Sequence, residues 1–245
     1  MGDATPLAQL WQRRSTGTCS RATTLTRTKA GRFSVDYPPL KRIIRVADGF
    51  YPDPDAIRRR ALKMTYVEPE NLVGWRTRAY QPVGIKRRIE QRFGVSIPHW
   101  ERDPDAIEAC NGVFFTSYAT GPRGETVGIH YDTPPTWVMF LIYLTPGAPS
   151  DAGTSLWQHR KTGLVSKPTA RDAQQLATTV EKLDALLERD ARIRSRWIEI
   201  DRIGNVFNRA VMFPGGFFHS ASRHFGRTID DGRIYQSFHF PVKFL

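Results

Sequence analysis

The chain is poor in cysteine, with only Cys19 and Cys110. Their spacing offers no disulfide framework and no paired thiolates for zinc. That usage fits a reducing compartment, and the expected location is the cytoplasm. Long apolar runs are missing as well. None reaches the roughly 18 residues of a membrane helix, and no leader with an apolar middle section opens the chain. No membrane association is expected. There is no internal repeat, and no recognisable nucleic-acid motif accompanies the basic residues.

Positive charge is abundant: the net charge is +12 and the isoelectric point is near 10.1. It is spread over the first 45 residues, Arg58, Arg59 and Arg60, Lys86, Arg87 and Arg88, and residues 189 to 196. This reads as solvated helix faces plus a basic tail; holding phosphates is the alternative use of such charge. With 245 residues, 40% hydrophobic and 24% charged, the chain can bury a sizeable core. Residues 1–38 are rich in Arg, Ser, Thr and Gly and almost free of acids, and they are expected to be a flexible tail. Residues 39–245 are expected to form a single domain.

Within it, "KRIIRVADGF" alternates as a short strand, and "YPDPDAIRRRALKM" follows as a helix. Asp53 suits the cap, Pro54 the first turn, and Ile57, Ala61 and Met64 one face. A second helix is predicted over about 82–93, with Ile85, Ile89 and Phe93 in register. From Gly112 the texture changes to short strands: "GVFFTSYAT", "TWVMFLIYLT", "GTSLW", "WIEIDRI", "RAVMFP" and "GRIYQSFHF". A helical insert over about 168–194 interrupts them, with a stripe of Leu176, Val180, Leu183 and Leu187. Helices first and strands afterwards point to an α+β domain on an antiparallel sheet.

The chemistry concentrates in "GIHYDTPPTWVMFLIYLT". In an extended chain, residues i and i+2 share a face, so His130 and Asp132 aim one way while Tyr131 faces the other. An imidazole and a carboxylate suit a divalent transition metal, and a third ligand is needed. His219 has the best context, because "RAVMFPGGFF" brings an apolar strand and a Pro-Gly-Gly turn to its door. His99, His159, His224 and His239 are rivals for that place. His-x-Asp with a distant His is the two-histidine, one-carboxylate triad that leaves iron open positions.

From about Cys110 to the C-terminus these segments, taken in order, resemble the double-stranded β-helix of the Fe(II)- and 2-oxoglutarate-dependent dioxygenases, in their prolyl-hydroxylase-like part and a little-characterised bacterial branch. The resemblance rests on Tyr118 in "SYATGPRGETVGIHYD", on "FLIYLT", "AGTSLW" and "RAVMFPGGFFH", and on Arg233 in "GRIYQSFHF". It implies a jelly-roll core over about 110–245 with flanking N-terminal helices and a helical insert. It implies His130, Asp132 and His219 as catalytic iron ligands, with 2-oxoglutarate and O2 as co-substrates. The far carboxylate of 2-oxoglutarate would fall to Arg233, whose planar fork suits it, with Tyr118, Tyr235 and Ser237 as further contacts; Arg223 and Arg227 are rivals in a polar loop. Tyr235 stands where some relatives have a serine, and Ser237 shares its face. His159 and Arg160 in "WQHRKTG", and Trp137, are candidate substrate contacts. Asp132 fills the position that halogenating relatives leave to a small residue, so hydroxylation, or a related desaturation or demethylation, is implied. The expected substrate is a small molecule, amino acid or peptide of specialised metabolism. Oxidative demethylation of nucleic acid and a non-catalytic binding module are the alternatives, and a zinc hydrolase is disfavoured because no general base falls near the triad.

Overall fold

A period of two runs through the longest strands and sets both sides of the main sheet. The structure is a computed structural model that describes residues 44–68, 75–102, 111–120 and 128–245. The expected tail, Cys19 and Cys110 lie outside the described residues. In chain order the elements begin with β1 (Arg45–Ala47), α1 (Pro54–Lys63), β2 (Trp75–Ala79), α2 (Ile85–Phe93), β3 (Val95–Ser96), β4 (Val113–Ser117), β5 (Val138–Tyr143) and β6 (Thr154–His159). They continue with α3 (Ala170–Gln175), α4 (Val180–Asp190), β7 (Trp197–Ile203), β8 (Ala210–Pro214), β9 (His219–Ala221), β10 (Arg233–Phe240) and β11 (Lys243–Phe244).

Six strands pair antiparallel in the order β1-β8-β5-β10-β4-β2. Even-numbered residues of β5, β8 and β10, among them Val138, Phe140, Ile142, Met212, Phe238 and Phe240, pack on one side with Ile57 and Ala61 of α1 and Ile85, Ile89 and Phe93 of α2. Phe140 is fully buried and meets the rings of Phe50, Phe93, Phe238 and Phe240. Burying one such ring contributes about 1.5–3 kcal/mol. The helix starts follow from local chemistry: the Asp53 side chain accepts from the Ala56 N–H at 2.9 Å, and Pro54 needs no N–H partner. The second helix begins at Ile85 rather than Pro82, because Gly84 takes a left-handed conformation immediately before it.

Odd-numbered residues point the other way. Leu141, Tyr143, Val211 and Phe213 join Leu156 of β6 and Ile203 of β7 in a second cluster. The facing sheet has the order β7-β6-β9 and is extended by a bridge between His130 and His219. Alternation along β6 puts Trp157 on that sheet's outer side, where it meets Trp197, Phe218, Ile129 and Leu187 of α4, while the bulge in the pairing leaves Ile200 of β7 as the extra residue. The predicted single helical stripe is broken: α3 ends at Gln175, Leu176 is exposed, Ala177 has positive φ, and Thr179 caps a new helix. Threonine caps at 169 and 179 compete with a continuous helix by offering the backbone side-chain acceptors. Among the described residues no helix is long and apolar enough to cross a membrane.

Candidate metal centre

Two loops interlock to build the centre. The His130 N–H donates to the His219 carbonyl at 3.0 Å, and the His219 N–H returns the bond at 2.8 Å. A mutually bonded antiparallel pair has both side chains on one face, and the two rings lie 4.5 Å apart. Asp132, two residues on, is held by its own N–H on the Gly215 carbonyl at 2.8 Å. Gly215 N–H bonds the Trp137 carbonyl at 2.8 Å, and Gly216 N–H bonds that of Pro135 at 3.2 Å. The glycines were expected to supply a sharp backbone turn. The turn is there, closed by the Phe217 N–H on the Pro214 carbonyl at 3.1 Å, without a left-handed glycine, and the glycines also serve close approach. A Cβ on Gly216 would stand 2.7 Å from the Pro135 carbonyl, and one on Gly215 would meet Asp132 Cβ at 3.4 Å and His239 Nε2 at 3.2 Å.

His130, Asp132 and His219 each place a ligand atom within 4.8 Å of the others. His219 is buried, Asp132 half-buried, and His130 keeps an open outer edge. Each imidazole is oriented from behind. His219 Nδ1 lies 2.8 Å from the Phe217 carbonyl, and His130 Nδ1 lies 3.0 Å from that of Gly128. A carbonyl can only accept, so both Nδ1 atoms carry a proton, and in the neutral ring each Nε2 presents a lone pair. His219 Nε2 faces Asp132 Oδ2 at 3.1 Å, and that oxygen has no hydrogen-bond donor. Two lone pairs at that distance repel unless a cation stands between them. The donor set, two imidazoles and one carboxylate at one corner, fits a divalent transition ion with positions left open.

The electrostatics say the same. Burial alone would raise the Asp132 carboxyl, but the facing imidazoles of His219 and His130, then His239, outweigh it and hold it well below the usual range. Burial works against charging His219, yet Asp132 raises it. His130 has an exposed edge, but its ring sits among protein atoms; loss of water there, then repulsion from His219, lowers it. The cluster demands one positive charge between His219 and Asp132, from a proton or a metal ion.

From this corner an inward-facing row runs down β10: His239, Ser237, Tyr235, Arg233. Ser237 stands opposite Leu141, and Tyr235 opposite Tyr143 and Phe115. The Phe213 ring touches His219 at 4.9 Å and belongs to the same inter-sheet cluster as Leu141 and Tyr143. Arg233 closes the row. It is 3% exposed, its guanidinium lies 4.2 Å from the Tyr235 ring and 5.6 Å from that of Tyr143, and no described carboxylate pairs with it. A buried cation without a counter-ion costs several kcal/mol, so the site calls for an anion. Arg223, by contrast, is exposed and bound to Asp151 at 2.7 Å, and the exposed Arg227 lies in the loop that Asp231 organises.

Three predicted contacts fall elsewhere. Tyr118 follows Ser117, which shares Arg233's face, and so turns to the opposite side, where its ring covers Gly232 and lies beside Tyr66. His159 is fully buried on the outer side of its sheet, with Nε2 3.1 Å from Asp190 and Nδ1 3.0 Å from Thr162 Oγ1. Its partner carboxylate comes from the end of α4, which no local pattern around His159 reveals. Arg160 is exposed on the following turn. Trp137 stays near the centre, its ring 5.2 Å from His239 and 5.9 Å from His99. Sequence reasoning weighed His239 only as a rival third ligand and missed Tyr143, although strand parity with Arg233 and the pairing opposite Tyr235 were signals for their places. A groove of about 860 Å³ lined by Arg60, Tyr80, Lys86, Arg87, Trp100 and Arg102 lies on the helical side, and no triad residue lines it.

Residues 128–233, which hold the whole triad and Arg233, match the family of unknown function DUF6445. A search of curated proteins finds no match. Among solved structures, HygX from Streptomyces hygroscopicus, crystallised with nickel, 2-oxoglutarate and hygromycin B, is similar at 10% identity and a TM-score of 0.47 over 82% of this chain and 83% of that one. The Fe(II)/α-ketoglutarate-dependent dioxygenase TqaL is similar at 9% identity and a TM-score of 0.34 over 81% and 82%. With TM-scores below 0.5, neither likeness assigns this chain's chemistry, which rests on the donor geometry.

Two variants separate structure from site. His159→Ala should lower stability by about 1–3 kcal/mol, by leaving a buried Asp190 oxygen unpaired, and should leave metal affinity unchanged; lost metal binding in a folded variant would return His159 to the site. Burial, then Arg233's charge, push His224 down to about 4. An unfolded histidine titrates near 6.5. The folded chain therefore binds fewer protons in that window, and its stability, full above pH 6.5, falls as pH drops toward 4. His224→Gln cannot titrate, so urea midpoints at pH 7 and pH 4.5 should differ less for it than for the wild type; equal differences would contradict the placement.

Proposed function

We propose that this chain is an Fe(II)- and 2-oxoglutarate-dependent oxygenase built on a double-stranded β-helix. The observation that carries the reading is the meeting of His219 Nε2 and Asp132 Oδ2 at 3.1 Å with no proton assigned between them, beside a third donor on His130. The strand orders support the fold. The set β4-β10-β5-β8 faces the bridge at His130 followed by β9-β6-β7, so apart from the β6–β7 hairpin the chain passes from one sheet to the other at each strand, as in a jelly roll.

His130, Asp132 and His219 would hold iron(II), which when bound supplies open positions for 2-oxoglutarate and O2 and couples oxidative decarboxylation, yielding succinate and CO2, to insertion of one oxygen atom into a substrate C–H bond. The remaining work falls to the chain. The carbonyls of Gly128 and Phe217 fix both imidazoles in the ligating tautomer. Arg233 offers its fork to the far carboxylate of the co-substrate, from a pocket where that charge is poorly screened. Leu141, Tyr143 and Phe213 wall the space between and keep water from it. Trp137, with His239 and His99 against its ring, lies at the substrate's side. A small molecule, amino acid or peptide suits a centre lodged between two sheets, and the carboxylate at Asp132 favours hydroxylation, or a related desaturation or demethylation.

Anaerobic addition of Fe(II) and 2-oxoglutarate should give the visible charge-transfer band of the chelate in the wild type and none in His219→Ala. Admitting O2 should then release succinate. A band that survives in His219→Ala contradicts the ligand set, and a chelate that never yields succinate favours a binding module.

A further inference from the structure

Two buried polar atoms at the Arg233 end of the inter-sheet space have no partner: Arg233 Nε and His224 Nε2. They come from different segments, one from the first residue of β10 and the other from the loop that precedes it. Ser117, the last residue of β4, joins them. It stands directly opposite Arg233 in the strand pairing, and its Oγ lies 2.8 Å from His224 Nδ1. Burial and the neighbouring guanidinium both disfavour a second proton on His224, so its ring is neutral. The Ser117 hydroxyl can donate to Nδ1, and in that tautomer the single ring proton sits on Nε2. Both unsatisfied atoms are then N–H donors, one of them cationic, and two such donors in a buried space match a carboxylate.

The tyrosines leave this role open. Tyr118, which the family resemblance would put here, lies on the opposite face against Gly232. Tyr143 flanks the guanidinium, but its hydroxyl gives its one proton to Thr154 Oγ1 at 2.7 Å. That hydroxyl can accept from Arg233 and cannot also donate to an anion. Tyr235 and Ser237 share Arg233's face, but the imidazole is the group whose buried nitrogen lacks a partner while its other nitrogen is anchored, on Ser117.

The geometry points to His224 as the second donor, with Arg233, for the distal carboxylate of a 2-oxo dicarboxylate, and as the residue that makes this site prefer a dicarboxylate to a 2-oxo monoacid. The assignment rests on the oxygenase reading above. It concerns the end of the co-substrate away from the metal, so its loss leaves the triad and the chelating end untouched.

The test uses the full chain loaded anaerobically with Co(II), whose visible absorption reports both metal uptake and chelation. Dissociation constants are measured for 2-oxoglutarate and for pyruvate, which shares the chelating end and lacks the distal carboxylate. His224→Ala should take up Co(II) like the wild type, weaken 2-oxoglutarate by about 10- to 100-fold, and change pyruvate by less than about twofold. His224→Gln, which keeps an N–H donor, should recover most of the loss. Ser117→Ala, which removes the anchor and leaves the ring, should weaken 2-oxoglutarate several-fold and serves if His224→Ala does not fold. Undiminished 2-oxoglutarate affinity in these variants, or an equal loss for pyruvate, would overturn the role of His224 alone. A wild type that takes up Co(II) and chelates neither acid would overturn the oxygenase reading itself.

Discussion

An imidazole nitrogen and a carboxylate oxygen, held 3.1 Å apart by the fold and needing a positive charge between them, are the constraint on which the candidate centre depends. Neither atom can move away cheaply. His219 is anchored through its backbone bridge to His130 and through Nδ1 to the Phe217 carbonyl. Asp132 is anchored through its N–H to Gly215. The chain therefore keeps two electron-rich atoms together at some cost in stability, and a positive charge between them offsets it. A proton can do so transiently. An ion that also takes the lone pair on His130 Nε2 does so with three ligands at once, which explains why the third ring is turned the same way.

The fold's contribution is to make that corner stiff. On the helical side of the six-stranded sheet, Phe140 and its ring neighbours fix the spacing of β5, β8 and β10. The ends of those strands then set where the Asp132 loop and the Gly215–Gly216 turn can meet. That contact has no slack, since a single added methyl on Gly216 would strike Pro135. On the outer side, Tyr131 turns away from the metal corner and donates to Asp184 of α4 at 3.1 Å. The helical segment thus braces the strand that carries two of the three ligands.

Much of this was legible in the residues, because the strong signals are local. Period-two alternation marked β5, β8 and β10 and their two faces. The i, i+2 spacing put His130 and Asp132 on one side, and Asp53-Pro54 announced a helix start. What stayed hidden depends on contacts between distant segments. His159 reads as available without the Asp190 that α4 delivers to it, and Tyr118 reads as inward without the pairing of Ser117 with Arg233, which puts the next residue on the opposite face. His224 was one of several histidines with nothing local to distinguish it; the serine 107 positions earlier decides its place. Leu176 kept the helical period but fell in a break made by capping threonines, which a count of apolar spacing does not weigh.

The inter-sheet space has one polar corner at each end, a set of lone pairs at the triad and a buried guanidinium with an imidazole at Arg233, with an apolar wall between them. The proposed co-substrate carries the matching pair of groups, a chelating end and an anionic end. Anomalous diffraction from crystals grown with Co(II) tests the first corner most directly. The account predicts one dominant peak within about 2.3 Å of His130 Nε2, His219 Nε2 and an Asp132 oxygen. A peak centred on other side chains, with these three donors left apart, would contradict it.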